Sequence, residues 1–188
     1  MRGTRNWLVL SYCLASVMVL ITCSGKTTPE EAESGRGQPG QVQNVPAASW
    51  RTLDGVEQSA AFYKGKVLII DFWATWCGPC KVAIPDLNDL HGQYAAKGLV
   101  VIGVSVDKTG PDAVKEFVEQ YRIVYPVVTG DRSVEEAYGQ VMAPPQNRVT
   151  SLPTTFIINR EGQVVKSYVG YQTSLSRKQL EADINQLL

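Results

Sequence analysis

Two cysteines, Cys77 and Cys80, are separated only by Gly-Pro and stand where an apolar run gives way to a helical pattern. Residues 67–70 are Val-Leu-Ile-Ile, which is typical of a buried central strand. After the cysteines, apolar residues recur every three or four positions, which predicts a helix. A sulfur at that helix N-terminus meets free N–H groups and the macrodipole, and both favour a thiolate. The pattern predicts a redox site in which Cys77 is the nucleophile and Cys80, one turn further, resolves the mixed disulfide.

Purely structural explanations of this cysteine pair are less satisfactory. A disulfide that spans only Gly-Pro closes too small a loop to stabilise a fold by much. A structural zinc ion needs four ligands, whereas the sequence offers one histidine, His91, and no second cysteine pair in the same region. We therefore predict redox chemistry and no metal.

The sequence Phe-Trp-Ala-Thr-Trp-Cys-Gly-Pro-Cys-Lys at 72–81 resembles the active site of thioredoxin-like proteins. Leu53-Asp54-Gly55 and Tyr63-Lys64-Gly65-Lys66 are similar to the TlpA/ResA branch, which carries a short N-terminal hairpin. The resemblance implies an α/β chain with the thioredoxin fold, in which helices flank a central mixed β-sheet that has an N-terminal β-hairpin extension. It also implies a thiol-disulfide oxidoreductase that works through a redox-active Cys77–Cys80 disulfide and no other cofactor.

Strand and helix patterns alternate along the rest of the chain, which favours a sheet that is at least partly parallel. The last two predicted strands are joined by Arg160-Glu161-Gly162 and should form an antiparallel hairpin. Further strands are predicted at 99–106, 126–128, 155–159 and 164–168, and helices at 111–121, 134–138 and 175–188.

Asp71 is an acidic residue inside the apolar strand that precedes the cysteines. If its side chain faces the core, burial disfavours the charged form, and the carboxyl group can hold a proton near neutral pH. Thioredoxins have an aspartate at this position, so the resemblance implies a general acid/base for Cys80. A solvated or hydrogen-bonded residue at the strand end is the alternative. Thioredoxins also place a lysine beside this aspartate, and aligning the next strand leaves Gly103 at that position.

Leu152 and Pro153 come immediately before a predicted strand, where proline needs a positional reason. The resemblance across 152–162 implies a cis Pro153 that faces the cysteine pair, with the adjacent backbone pairing with the substrate chain. For Trp76 and Trp73 two interpretations stay open, a wall of the substrate groove or simple packing. The predicted substrate-binding residues are Trp76, Gly78, Pro79, Leu152 and Pro153.

Two further features depart from the pattern of the relatives. ResA and cytochrome c biogenesis thioredoxins usually carry a glutamate three residues after the second cysteine, and here that residue is Ala83. Membership of the family therefore does not by itself imply a role in cytochrome c maturation. The segment Gly139–Ser151 is longer than the usual link into the following strand. It either selects partners or is a tolerated surface loop.

The N-terminus has the features of an export signal. Arg2 and Arg5 precede an apolar stretch at 7–21, which is short of the roughly 20 residues of a membrane-spanning helix. Leu-Ile-Thr-Cys at 20–23 resembles a bacterial lipobox, in which the cysteine is lipidated. Two acyl chains on Cys23 would anchor the protein stably. An uncleaved N-terminal anchor is the alternative.

Composition separates residues 24–48 from the rest of the chain. This segment is rich in glycine and proline and has almost no large apolar residue, so it cannot build a core. The 188 residues carry 18 basic and 18 acidic side chains, which provides no basic field for nucleic acid. The predicted segments are a lipoprotein-type signal peptide at 1–23, a flexible linker at 24–48 and a thioredoxin-like domain at 49–188.

The predicted function is thiol-disulfide exchange on the periplasmic or extracytoplasmic side of a bacterial cell envelope, by a monomer that reduces disulfide-containing client proteins. The clients would belong to cytochrome c maturation or to general thiol maintenance. No nucleotide-binding fingerprint occurs in the sequence, so the resemblance implies electrons from a membrane thiol donor of the DsbD/CcdA type. The alternatives are a DsbA-like oxidase or isomerase, a peroxidase and a copper carrier.

Overall fold

The computed structural model describes residues 38–142 and 144–188. Within them the chain forms a mixed sheet of eight strands with helices packed on both faces. The strands are β1 (Gln38–Asn44), β2 (Ser49–Thr52), β3 (Glu57–Ser59), β4 (Val67–Trp73), β5 (Leu99–Ser105), β6 (Val127–Thr129), β7 (Thr154–Ile158) and β8 (Gln163–Val169). The helices are α1 (Gly78–Tyr94), α2 (Pro111–Gln120), α3 (Arg132–Gln140) and α4 (Thr173–Leu187), with 3₁₀ turns at Ala60–Tyr63 and Ala95–Lys97.

Strand β4 lies inside the sheet, whose order is β1-β8-β7-β4-β5-β6-β2-β3. It runs parallel to β5 and antiparallel to β7, which confirms the predicted mixed sheet. The antiparallel β7–β8 hairpin is also confirmed. Near the N-terminus β2 and β3 form the predicted hairpin, turning at Gly55, whose φ of 86° suits glycine.

Both faces of β4 are covered, so all seven of its residues are buried. Side chains alternate between the two faces of a strand. Ile69 and Trp73 join a core layer with residues of α1, α2 and α4, whereas Ile70 and Phe72 join a layer with residues of α3 and β2. Asp71 shares the parity of Ile69 and Trp73, so its side chain points toward the layer that contains the active-site helix α1.

The predicted linker at 24–48 is wrong over its last part, because Gln38–Asn44 forms β1. This strand pairs antiparallel with β8 at the edge of the sheet. Backbone hydrogen bonds to an open edge do not need apolar side chains, so the polar composition of the segment did not reveal the strand. Proline has no amide hydrogen to donate, and Pro39 is compatible with β1 because one side of an edge strand has no pairing partner.

The segment Gly139–Ser151 is attached to the body of the domain. The helix before it, α3, is longer than predicted and is capped by Asp131, whose carboxylate accepts from the amides of Ser133 and Val134. Among the residues that follow, Met142 and Val149 are buried in the α3 core layer. The described part of this segment is therefore a packed element and contributes to the core.

Three N-terminal predictions concern residues outside those described. These are the signal peptide at 1–23, the lipidation site Cys23 and the beginning of the linker. Among the residues that the structure does describe, none of the helices has the length and apolar character needed to cross a membrane.

Candidate active site

The cysteine pair lies at the N-terminus of α1. Cys77 is the N-cap residue, and its Sγ accepts a hydrogen bond of 3.2 Å from the amide of Cys80. The two sulfurs form a disulfide, so the structure represents the oxidised protein. Cys77 and Cys80 retain only 4% and 2% of their surface exposure. After reduction, the same amide and the helix macrodipole would favour a thiolate on Cys77.

The turn that leads into Cys77 is held by Asp107, a residue that the sequence did not point to. Its carboxylate accepts from the amide of Thr75 at 2.9 Å and from the hydroxyl of Thr75 at 2.7 Å. The hydroxyl of Ser105 also donates to it, at 2.9 Å. The available signal was positional, because Asp107 follows β5 at the edge where β4 ends, and the carboxyl ends of parallel strands meet there.

The two tryptophans beside the cysteines differ in environment. Trp73 is buried and packs on Phe117, with 5.0 Å between ring centroids, so the packing interpretation holds for it. Trp76 is 71% exposed immediately before Cys77. Gly78 and Pro79 are exposed as well, in the first turn of α1. These three residues form an accessible surface around the disulfide, and their contact with a substrate stays a prediction.

The Leu152–Pro153 peptide bond is cis, in agreement with the resemblance. Thr154 pairs with Phe72 near the carboxyl end of β4. Pro153 precedes Thr154 and therefore lies at that end of β4, from which the chain continues to Cys77. The carbonyl of Pro153 accepts from the amide of Gly170 at 2.8 Å, which ties the start of β7 to the end of β8. The fold thus brings Pro153 to the sheet edge that also carries the cysteines.

Asp71 is 2% exposed, which excludes a solvated strand-end residue, whereas the alternative of a hydrogen-bonded one stays open. The hydroxyl of Thr155 on β7 donates to Asp71 Oδ1 at 2.6 Å. Burial raises the pKa of Asp71 to about 7, while the hydrogen bond from Thr155 opposes that rise. On the other side Asp71 pairs in register with Gly103, as the alignment predicted. The carboxyl group can therefore take up or release a proton near neutral pH.

A cleft of about 220 Å³ opens beside Pro79. The β8–α4 connection forms its other side, and within it the hydroxyl of Tyr171 donates to Asp86 Oδ2 at 2.5 Å. Burial, this hydrogen bond and the charge of Asp86 raise the pKa of Tyr171, so the phenol stays neutral. The cleft is lined by Pro79, Tyr168, Val169, Gly170, Tyr171, Gln172 and Ser176.

Lys81, Ala83 and His91 on α1 lie in structural surroundings. Lys81 Nζ lies 5.7 Å from the ring centroids of Phe117 and Tyr121, a cation–π geometry. Ala83, at the position of the family glutamate, is fully buried. His91 is half-buried, and burial lowers its pKa. No cluster of three or more metal-ligating side chains occurs in the described part of the chain.

Comparison with known sequences identifies relatives over most of the chain. The model of the Redoxin family matches residues 41–184. Thiol-disulfide oxidoreductase ResA of Bacillus thuringiensis subsp. konkukian is 33% identical over 156 residues, which are 82% of this chain and 79% of that protein. Thiol-disulfide oxidoreductase ResA of Bacillus subtilis is 32% identical over 158 residues, 84% of this chain and 83% of its relative.

Solved structures of thiol:disulfide interchange proteins are similar to this chain. A putative thiol:disulfide interchange protein DsbE from Chlorobium tepidum has a TM-score of 0.64 and 30% identity, covering 80% of this chain and 99% of its own. A thioredoxin family thiol:disulfide interchange protein from Chlorobium tepidum TLS has a TM-score of 0.67 and 28% identity over the same shares. The fold predicted from the resemblance, the thioredoxin fold, is confirmed.

Proposed function

Because this chain belongs to the Redoxin family and is a thioredoxin-like thiol-disulfide oxidoreductase, we propose that it reduces disulfides of protein clients on the extracytoplasmic side of a bacterial membrane. One arrangement carries the chemical part of the proposal. A cysteine pair caps the N-terminus of α1, and the buried acid Asp71 points toward the core layer that this helix helps to form.

The reaction begins with reduced Cys77. Its thiolate attacks one sulfur of the client disulfide, so that a bond between Cys77 and the client forms as the client S–S bond breaks. The other client sulfur leaves as a thiolate and takes a proton from water. The amide of Cys80, directed at Cys77 Sγ, stabilises the attacking anion.

Resolution of the mixed disulfide depends on Cys80. Its thiol loses a proton to Asp71, and the resulting thiolate attacks Cys77 Sγ. The Cys77–Cys80 disulfide forms, the second client sulfur leaves as a thiolate, and two electrons have passed to the client. A carboxyl group whose pKa is about 7 suits this proton transfer, because it is neither fully ionised nor fully protonated at neutral pH.

The same residues support the proposed direction of exchange. Gly-Pro between the cysteines and the acid at position 71 favour a reductant over a DsbA-like oxidant. The oxidised protein must then receive two electrons, and we propose a membrane thiol donor of the DsbD/CcdA type. Clients in cytochrome c maturation and clients of general thiol maintenance both fit this chemistry, and Ala83 in place of the family glutamate weakens the assignment to cytochrome c maturation.

The reduction potential of the Cys77–Cys80 pair tests the proposed direction. The full-length chain is equilibrated with dithiothreitol or glutathione couples, and the reduced fraction is read by thiol alkylation. A potential at or below about −250 mV, in the range of thioredoxin, is expected of a reductase. A potential above about −150 mV would identify an oxidant or isomerase and overturn the proposal. Peroxide consumption at stopped-flow rates would instead indicate a peroxidase.

The proposed location rests on the N-terminal sequence, with Cys23 as the lipid-bearing residue. Expression of the full-length chain in a bacterial host with labelled palmitate should give a labelled protein in the membrane fraction. Cys23→Ser is the matched control and should lose the label. A wild-type protein that is neither labelled nor membrane-bound would refute both the lipoprotein and the uncleaved-anchor alternative.

A further inference from the structure

The flank of Asp71 opposite Thr155 is occupied by aromatic rings. Gly103 pairs with Asp71 there, and a Cβ atom at position 103 would lie 2.8 Å from Trp73 Nε1 and 3.0 Å from Tyr125 Cε2. Real Cβ atoms essentially never come as close as the distance to Trp73 Nε1, and the distance to Tyr125 is tighter than most, so a side chain at 103 would displace Trp73 and crowd the ring of Tyr125. Gly103 is the register partner of Asp71, so the rings of Trp73 and Tyr125 that lie against it border the carboxyl group on this flank.

Tyr125 is held in this place by backbone and core contacts. The amide of Gly103 donates to the carbonyl of Pro126 at 2.9 Å, which ties the segment containing Tyr125 to β5. Tyr125 is 4% exposed, and the ring of His91 meets it edge-on with 6.5 Å between centroids. Burial, and secondarily the charge of Asp71, raise the pKa of Tyr125, so its phenol is uncharged at physiological pH. The lowered pKa of His91 leaves that ring neutral as well.

In the described part of the chain, the other elements around Asp71 supply no basic partner to it, and Lys81 of α1 lies over the rings of Phe117 and Tyr121. Strand β7 contributes the hydroxyl of Thr155, and α1 contributes the two cysteines, which do not titrate as a disulfide. The β8–α4 connection contributes Tyr171, a neutral phenol that is itself hydrogen-bonded to Asp86. Beyond it, Arg177 is paired with Asp86 and Asp89. Within the described residues no ion pair reaches Asp71, so exclusion of water is the main influence on its charge.

We propose that Tyr125 is a positioning residue for Asp71, whose ring, together with that of Trp73, closes the Gly103 flank of the carboxyl group to water and to cationic side chains. The inference rests on the proposed acid/base function of Asp71. Its consequence is that Asp71 keeps its proton to a higher pH than a carboxyl group that water can reach, because hydration would stabilise the carboxylate.

A titration of Asp71 in the oxidised full-length chain tests this inference. Carboxyl carbons are observed by NMR after labelling with ¹³C-aspartate, and the Asp71 signal is assigned by its loss in Asp71→Asn. Tyr125→Ala should lower the pKa of Asp71 by about one pH unit or more, because water reaches the carboxyl group. Tyr125→Phe keeps the ring and should titrate like the wild type. If Tyr125→Ala does not fold, Tyr125→Leu, which also lacks the aromatic ring, replaces it.

Tyr138→Ala is the matched control, because Tyr138 is an equally buried tyrosine in the core layer on the other face of the sheet. It should lose stability without moving the pKa of Asp71. The inference is overturned if Tyr125→Ala leaves that pKa unchanged, if Tyr138→Ala lowers it equally, or if Tyr125→Phe lowers it, since the hydroxyl would then be responsible. The titration needs neither a client nor an electron donor. Its result therefore stands even if the measured reduction potential refutes the proposed reductase function.

Discussion

The hydroxyl of Thr155 donates a hydrogen bond of 2.6 Å to Oδ1 of Asp71, between two residues that are 84 positions apart in the sequence. The two residues are direct partners in the β4–β7 register. Both are buried, so the bond is shielded from water and directly affects the ionisation of the acid.

Thr155→Val should raise the pKa of Asp71 above its value of about 7, because the valine side chain has a similar shape and cannot donate to the carboxylate. A hydrogen bond to a charged group contributes roughly 1.5–3 kcal/mol, which corresponds to about one to two pH units. Titration of the Asp71 carboxyl carbon by NMR measures the change. Thr155→Ser retains a donor and should stay near the wild type. An unchanged or lowered pKa in Thr155→Val would contradict the proposed effect of the bond.

The free energy of unfolding should depend on pH through Asp71. Its pKa is raised from 3.8 to about 7 by burial, so between these values the folded protein holds a proton that the unfolded chain has lost. The Asp71 contribution to stability is therefore greatest below about pH 4, falls as the pH rises to about 7, and is constant above that.

Asp71→Asn removes this dependence, because the amide carries no charge. The variant should exceed the wild type in free energy of unfolding at pH 8, by at most about 4 kcal/mol, and the difference should shrink toward pH 4. Urea unfolding of the oxidised proteins at both pH values measures it. Asp54→Asn, at a side chain that is 89% exposed, is the control and should change little. Equal gains for Asp71→Asn at pH 4 and pH 8 would rule out the titration as their cause.

The two cysteines should have different roles in exchange with a client. Cys77→Ser should abolish reduction of insulin disulfides, because the residue that caps α1 supplies the attacking thiolate. Cys80→Ser should accumulate mixed disulfides with clients, which are visible on non-reducing gels, because nothing resolves them. Trapping by Cys77→Ser and none by Cys80→Ser would invert the assignment.

Gly139→Ala should destabilise the fold. A Cβ atom at position 139 would lie 2.5 Å from the Cα atom of Arg148, so backbone would have to move against backbone. The cost of such overpacking is about 1–3 kcal/mol. Gly92→Ala is the control, since no atom lies within 4 Å of its Cβ position and alanine favours a helix by about 0.5–1 kcal/mol. Urea unfolding should show a lower free energy of unfolding than the wild type for Gly139→Ala and a higher one for Gly92→Ala. Equal stabilities would mean that the 140–151 segment does not pack closely on α3.

Much of the architecture could be predicted locally. The run 67–70 and the helical period after Cys80 were sufficient for β4 and α1, because a strand covered on both faces and an amphipathic helix each have their own periodicity. Asp54-Gly55 and Arg160-Glu161-Gly162 marked the two hairpin turns by residue type. The polar edge strand β1 could not be found in this way, because its pairing depends on the free edge of β8 and not on its own side chains.

The sequence by itself determined the chemistry: two thiols one helical turn apart at a strand-to-helix junction, with an acid in the strand before them. The tertiary structure decided what surrounds that acid and what holds the junction. Thr155, Tyr125 and Asp107 reach the site from segments distant in the chain, through strand register and side-chain packing. Thr155 and Tyr125 leave no local signal in the sequence, because their contacts exist only once the sheet has brought distant residues side by side.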